Sequence, residues 1–202
     1  LHDALPVDAS GPADPDAVVT TLLTRAAAAR EAAPVLVSRT EAIERVLRTV
    51  GGLVPLPPLQ RVHGDYHLGQ ALHSPARGWA VLDFEGEPQA SAQERARPDL
   101  ALRDLAGMLR SIDYAAAVGG ATSTTWASDA RASLVAAYLE ESGHGSARAQ
   151  DAASVALLRA LELDKALYEV VYETRNRPSW VSIPLAGVDR LLEQPTAGDA
   201  TP

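Results

Sequence analysis

The 202-residue chain reads as an α+β domain, predominantly α-helical, with one small β-hairpin near its middle. Three observations predict this. Apolar residues recur at three- and four-residue spacing over most of the chain. The texture changes to short apolar runs cut by turn residues between Gln60 and Glu87. A content of 47% hydrophobic and 22% charged residues suits one substantial core.

The elements follow in order. Pro, Gly, Asp and Ala dominate residues 6–15, so residues 1–14 are expected to form a flexible lead-in ahead of the domain at 15–192. A helix is predicted over 16–33, with Val18, Val19, Leu22 and Leu23 as its apolar stripe and Pro34 as its stop. A second runs over 38–50 from Ser38, a potential N-cap with Glu41 three residues on, to the Gly51-Gly52 pair. The prolines at 55, 57 and 58 force the next stretch to be extended. The hairpin pairs 70–73 with 79–84 around a turn at 74–78, and a polar loop covers 88–97. Leu102, Leu105, Leu109 and Ile112 mark a helix closed by Gly119-Gly120. Two further helices fall over 126–141 and 151–175, separated by Gly143-His144-Gly145, and a short one over 184–192. Residues 193–202 carry too little apolar content to order themselves. Trp79 and Trp180 are read as packing residues.

Composition excludes several roles. With 26 acidic against 18 basic residues the net charge is −8, which opposes binding to nucleic acid or an anionic membrane. There are no cysteines, hence no disulfide and no thiolate metal site. No apolar run approaches the roughly 20 residues of a bilayer span. The expected setting is the cytoplasm. The first residue is Leu1 and the only Met is Met108, so an N-terminal portion lying outside this chain is expected.

The chemistry concentrates in His63-Gly64-Asp65-Tyr66-His67-Leu68-Gly69-Gln70 and Val81-Leu82-Asp83-Phe84-Glu85-Gly86. Phosphoryl transfer from a nucleotide needs a carboxylate to orient or deprotonate the acceptor hydroxyl, and oxygen ligands for magnesium. Asp65 stands on a loop that Gly64 allows to turn. Gln70, five residues on, offers a side-chain carbonyl at the spacing seen between base and metal ligand in kinase catalytic loops. Asp83 ends an apolar strand, as the magnesium-binding Asp of a D-F-G element does. An isolated Gly-Asp pair is ordinarily only a turn former. His63 and His67, four apart, also match a zinc-helix spacing, but Gly64 disfavours a helix there and no third ligand presents itself.

These motifs resemble those of the aminoglycoside phosphotransferase-like kinases. With Asp83-Phe84-Glu85-Gly86-Glu87-Pro88, Arg97-Pro98-Asp99, the stretch from Leu102-Arg103-Asp104 to Ser111, and Glu162-Leu163-Asp164-Lys165-Ala166 through Tyr168-Glu169, they look like the bacterial maltokinase group, over residues 15–192. The resemblance implies the C-terminal lobe of a protein-kinase-like fold and ATP-dependent phosphorylation of maltose to maltose 1-phosphate for α-glucan synthesis. It implies Asp65 as general base, Gln70 and Asp83 as ligands of Mg2+ and hence of ATP, His67 as a catalytic-group residue bonding the substrate or Asp65, and Glu85 as a neighbour of the substrate. It implies Asp104 as the helix carboxylate that braces the catalytic loop. Gln70 replaces the usual Asn but keeps the same carbonyl ligand. The Gly-rich phosphate loop and strand lysine of the family are absent, so an N-terminal ATP-binding lobe is expected outside this chain, which alone should be inactive. Some family members are fused to trehalose synthase.

Asp164, Tyr168 and Tyr172 share one face of the last long helix and would suit a sugar, with aromatic platforms beside a charge. The same tyrosines would equally serve as core residues with bonded hydroxyls. Arg175 and Arg177 read as cations at a helix C-terminus. Two other readings stay open: a kinase of another sugar or amino sugar such as glucosamine, and an incomplete fragment acting as a binding module.

Overall fold

The computed structural model describes residues 1–86, 91–120, 123, 125–141 and 148–193. Helices dominate it, with two small two-stranded sheets. Helix α1 (Pro15–Ala32) begins where Asp14 accepts the amide of Asp16, with Pro15 in the first turn where its missing N–H costs nothing. Its alanines bring its backbone close to its neighbours, and Leu22, Ala26 and Ala29 are buried. The segment expected as one helix over 38–50 divides. A 3₁₀ turn spans Pro34–Arg39, helix α2 covers Thr40–Arg48, and a second 3₁₀ turn covers Thr49–Gly52. The α-helix starts after Arg39, so Ser38 is not its cap, and the Thr40 hydroxyl instead bonds the Val37 carbonyl.

Residues 1–14 depart from the expected lead-in. His2–Ala4 form a 3₁₀ turn, and strand β1 (Val7–Pro12) pairs antiparallel with β2 (Pro58–Gln60) in an irregular register, Val7 facing Gln60 and Pro12 facing Pro58. A Pro/Gly-rich composition signals an edge strand as readily as a loop when a partner lies far away in sequence. The hairpin forms as β3 (Ala71–Ser74) and β4 (Gly78–Val81), Ala71 facing Val81 and Ser74 facing Gly78, whose φ of +74° suits the turn. Within the expected loop 88–97, residues Ala92–Arg95 form the short helix α3, while residues 87–90, which include Glu87 and Pro88 of the family motif, lie outside the described residues.

Helix α4 (Leu102–Val118) and the 29-residue α6 (Arg148–Asn176) pack along each other. They are flanked by α1, α2, α5 (Trp126–Glu141) and α7 (Ser182–Glu193). The core between them is aliphatic, with Leu105 and Leu109 meeting Leu157, Leu161 and Val188, each nearly devoid of solvent contact. Full burial of such a side chain contributes about 1.5–3 kcal/mol. The Gly143-His144-Gly145 break and residues 194–202 of the expected tail lie outside the described residues. Trp180 packs beneath Arg177, but Trp79 is 75% exposed on β4, against its expected packing role, with the His73 ring 4.8 Å away. Among the described residues no helix is long and apolar enough to cross a membrane.

Candidate active site

The site is built where the 63–70 loop meets the N-terminal half of α4 and the end of the hairpin. Asp104, in the first turn of α4 and buried, accepts the backbone amides of His63 at 2.7 Å and Gly64 at 2.9 Å through its two carboxylate oxygens. A buried carboxylate is tolerable only with such donors around it. These two bonds tie the start of the 63–70 loop to the first turn of α4. Farther along α4, a Cβ at Gly107 would stand 2.7 Å from the Tyr66 carbonyl oxygen. A glycine is required there because the loop lies directly on the helix.

His63 ties the loop to the hairpin. Its ring, 1% exposed, donates from Nε2 to the Leu82 carbonyl at 2.7 Å and accepts the Asp65 amide at Nδ1 at 3.3 Å, while lying 4.8 Å from the Phe84 ring. Both nitrogens are engaged, so the residue is structural rather than a metal ligand. A Cβ on Gly64 (φ +85°) would lie 3.2 Å from the Gly86 Cα. The two chain segments therefore touch backbone to backbone, and Asp65 and Asp83 are carried on adjoining turns.

Asp83 adopts φ +56°, the left-handed region that a non-glycine residue enters at a cost of about 1–3 kcal/mol and that clusters at functional sites. Its carboxylate accepts the Gln70 side-chain amide at 3.2 Å, and the Gln70 backbone carbonyl accepts the Leu82 amide at 2.9 Å. One exposed carboxylate and one amide side by side form an oxygen donor set that suits a hard cation completing its shell with phosphate and water. Among the described residues there is no group of three or more His, Cys, Asp or Glu side chains placed to hold a metal. Glu85 follows on the exposed turn.

Asp65 is flanked by an imidazole and an ammonium. His67 Nε2 lies 3.9 Å from one carboxylate oxygen, its Nδ1 accepting the Gly69 amide, and Lys165 Nζ lies 3.7 Å from the other. Lys165, on α6, also stands 4.9 Å over the Tyr168 ring. Burial, and secondarily the Asp104 charge, raise the Tyr66 hydroxyl above its ordinary range, so it remains a neutral donor.

Beside Asp65 opens a cavity of about 830 Å³ between α1, α4 and α6, with Asp65, Asp104, Asp164, Lys165 and Tyr168 in its wall. Tyr172, Gln70, Asp83, His67 and Glu85 are not in that wall. The expected sugar face of α6 therefore divides. Tyr168 borders the cavity, whereas Tyr172 stacks against Tyr168 at 6.4 Å and lies under Arg177 at 5.5 Å. Asp164 is 3% exposed and already bonded to Arg103 at 2.7 Å and paired with Arg25 at 3.2 Å, with Asp99 on the other side of Arg103. Its carboxylate locks α6 to α4 and α1. Arg177 pairs with Glu173 and does not simply face the helix dipole.

Lys165 was within the family motif, yet nothing local gave it a role, because its approach to Asp65 depends on how α6 crosses the loop. Arg25 and His2, which reach Asp164 and Asp104 from far away in sequence, had no local signal at all.

Residues 1–158 match the Phosphotransferase enzyme family. The chain is 36% identical over 170 residues to a glucosamine kinase of Mycolicibacterium smegmatis, covering 79% of this chain and 41% of that protein. It is 32% identical over 145 residues to a glucosamine kinase of Streptacidiphilus jiangxiensis, covering 68% of this chain and 32% of that protein. Among solved structures, a glucosamine kinase in complex with glucosamine, ADP and inorganic phosphate superposes with a TM-score of 0.72 at 27% identity, covering 93% of this chain and 49% of that one. A second crystal form of glucosamine kinase gives the same TM-score at 26% identity, covering 94% and 47%. The chain thus spans less than half the length of the relatives it matches. These relatives are named for glucosamine where the sequence motifs had pointed to maltose. The match over most of its length places the chain in the phosphotransferase enzyme family.

Proposed function

We propose that this chain is the acceptor-binding and catalytic half of an ATP-dependent sugar kinase whose acceptor is an amino sugar, glucosamine. The observation that carries this reading is the placement of Asp65 at the wall of the cavity of about 830 Å³, on a turn adjoining the one that bears Asp83, whose carboxylate accepts the side-chain amide of Gln70 from Asp65's own loop. The glucosamine kinases among the relatives support the amino sugar over maltose and over the α-glucan route that maltose would imply.

In this reading Asp65 accepts the proton of the acceptor hydroxyl as that oxygen attacks the terminal phosphoryl group. His67 and Lys165 stand beside the carboxylate and hold its orientation. Asp104 and His63 fix the loop so that the carboxylate meets the hydroxyl without reorganisation. Tyr168 offers an aromatic face to the apolar side of the sugar ring. Gln70 and Asp83 would hold magnesium, which supplies charge neutralisation on the nucleotide phosphates when bound. Most nucleotide contacts would come from chain outside these 202 residues, and this chain alone is expected to bind ATP weakly.

A phosphate-transfer assay of the full-length protein against glucosamine, glucose, maltose and an aminoglycoside tests the reading. Glucosamine should give the highest kcat/KM. A higher value for maltose would restore the maltokinase reading, and no transfer to any sugar would leave only the binding-module alternative.

A further inference from the structure

We infer that His2 is a positioning residue for phosphoryl transfer: its imidazole, held on one side by Tyr138, fixes the Asp104 carboxylate that in turn holds the His63 and Gly64 amides directly ahead of Asp65. The inference rests on the kinase reading above for its activity arm only. His2 Nε2 lies 3.0 Å from Asp104 Oδ2, the same oxygen that accepts the His63 amide, and Nδ1 lies 2.9 Å from the Tyr138 hydroxyl. The ring packs edge-on to Tyr138 at 5.7 Å between centroids, and the side chain is 12% exposed.

The chemistry assigns the protons. A carboxylate only accepts, so Nε2 carries hydrogen toward Asp104, while Nδ1 pairs with the Tyr138 hydroxyl, which can either donate or accept. Burial foremost, with the charges of Asp104 and Asp3, pushes the Tyr138 hydroxyl up to about 12, so it stays protonated and able to donate. The backbone of His2 is also fixed, because its carbonyl accepts the Gln60 side-chain amide at 3.1 Å, while the Arg61 amide bonds the Pro6 carbonyl at 2.8 Å. The segment ahead of β1 is therefore registered against the strand that runs into the catalytic loop, and its imidazole reaches past that strand to the loop's brace.

Asp104 with three donors has one position, whereas with two amide donors and an open side it can rock about its χ angles and carry the loop with it. Displacement of a reacting group by about 1 Å can cost on the order of a hundredfold in rate, so a small loosening is measurable.

The test uses the full-length protein with His2→Ala, His2→Gln and the core variant Val188→Ala, which lies in α7 among the buried aliphatic residues. Hydrogen–deuterium exchange reads the His63 and Gly64 amides, and steady-state kinetics reads kcat and the nucleotide KM with glucosamine. His2→Ala should speed exchange of both amides and lower kcat about tenfold, the scale of one lost hydrogen bond to a charge, with the nucleotide KM unchanged. His2→Gln, whose amide can donate to the same carboxylate oxygen, should recover most of both. Val188→Ala should lower Tm without moving either. Exchange of the two amides at the wild-type rate in His2→Ala overturns the inference, as does a Gln variant no better than Ala or a kcat loss that Val188→Ala reproduces at equal Tm. If the wild-type protein transfers phosphate to no sugar, the functional reading fails while amide exchange still decides the role of His2.

Discussion

Lys165 carries its ammonium to 3.7 Å from the Asp65 carboxylate while standing over the Tyr168 ring at 4.9 Å, so one side chain of α6 joins the 63–70 loop to the aromatic wall of the cavity. If Asp65 is the general base of the proposed kinase, Asp65→Asn in the full-length protein should lower kcat by roughly 10²- to 10⁴-fold, the usual range for that loss, with nucleotide affinity nearly unchanged. Lys165→Met should lower kcat less, and Lys165→Arg less again because the charge remains. Single-turnover rates and nucleotide titrations on the three variants check the ordering. A Lys165→Met enzyme as slow as Asp65→Asn would place Lys165 in the chemistry itself.

Tyr168 and Tyr172 should behave differently although they share a helix face. Truncating Tyr168, which borders the cavity, should raise the acceptor KM with a modest change in kcat, since ground state and transition state share that contact. Tyr172 is partly buried between Tyr168 and Arg177, so Tyr172→Ala should cost roughly 2 kcal/mol of stability, below the figure for a fully buried aromatic, and leave the acceptor KM alone. Melting curves beside sugar titrations separate the two.

Replacing Asp164 should be a stability change before it is a specificity change. Its carboxylate is buried between Arg103 and Arg25, and Arg103 is held well above its ordinary range because the Asp99 and Asp164 charges outweigh its burial. Asp164→Asn removes one of the two carboxylates beside that guanidinium while Asp99 remains, and loss of such a charge-assisted hydrogen bond costs about 1.5–3 kcal/mol. Urea denaturation measures it, and a variant within about 1 kcal/mol of wild type would contradict the assignment.

A second buried carboxylate sets an acid limit. Burial alone would raise the Glu162 carboxyl, but hydrogen bonds and charge from Arg131 and Arg190 outweigh it and hold it below the ordinary value of 4.5. A depressed folded value means that the stabilisation is complete above that ordinary value and is lost as pH falls through the folded one. Glu162→Gln should therefore be markedly less stable than wild type at pH 7. The gap between the two should narrow as pH drops below about 4.5. Denaturation midpoints at pH 7, 5 and 3.5 test the sign. A gap that widens on acidification would refute it.

Gly107→Ala probes the contact between helix and loop. The added Cβ would sit 2.7 Å from the Tyr66 carbonyl oxygen, a backbone atom that cannot swing away. The loop must shift, and kcat should fall by on the order of a hundredfold while the nucleotide KM holds. Alanine is the better helix former, so a stability loss would have to arise from the loop clash.

The sequence made most of the helices legible because their signals are local. The apolar spacing at Leu102, Leu105, Leu109 and Ile112 and the Asp14-Pro15 start of α1 each specify an element within a dozen residues. The hairpin was equally readable from its turn. Strand β1 was not, because its partner is some fifty residues away and its Pro/Gly content imitates a loop. The site was read in the same uneven way. Asp65, Gln70 and Asp83 announce themselves by spacing, and Asp104 through the family motif. The roles of Asp164 and Lys165 depended on which helices cross beside them. His2 belongs to a segment whose composition predicted no structure, and its part in the loop appears only once Asp104 and Tyr138 are brought to it.

Asp104 also constrains what evolution can place at its position. Its two oxygens receive three N–H groups, from His63, Gly64 and His2, and none of these donors can reverse its role while His2 keeps its proton on Nε2. An asparagine of the same shape presents one oxygen and one NH₂, so whichever way its amide is turned, hydrogen faces hydrogen on one side. The most conservative substitution by shape is thus among the least compatible by polarity. Glutamate keeps the polarity but lengthens the arm against a loop that already rests on Gly107. In an alphabet of twenty side chains, this position accepts a single letter as long as the loop keeps its present course.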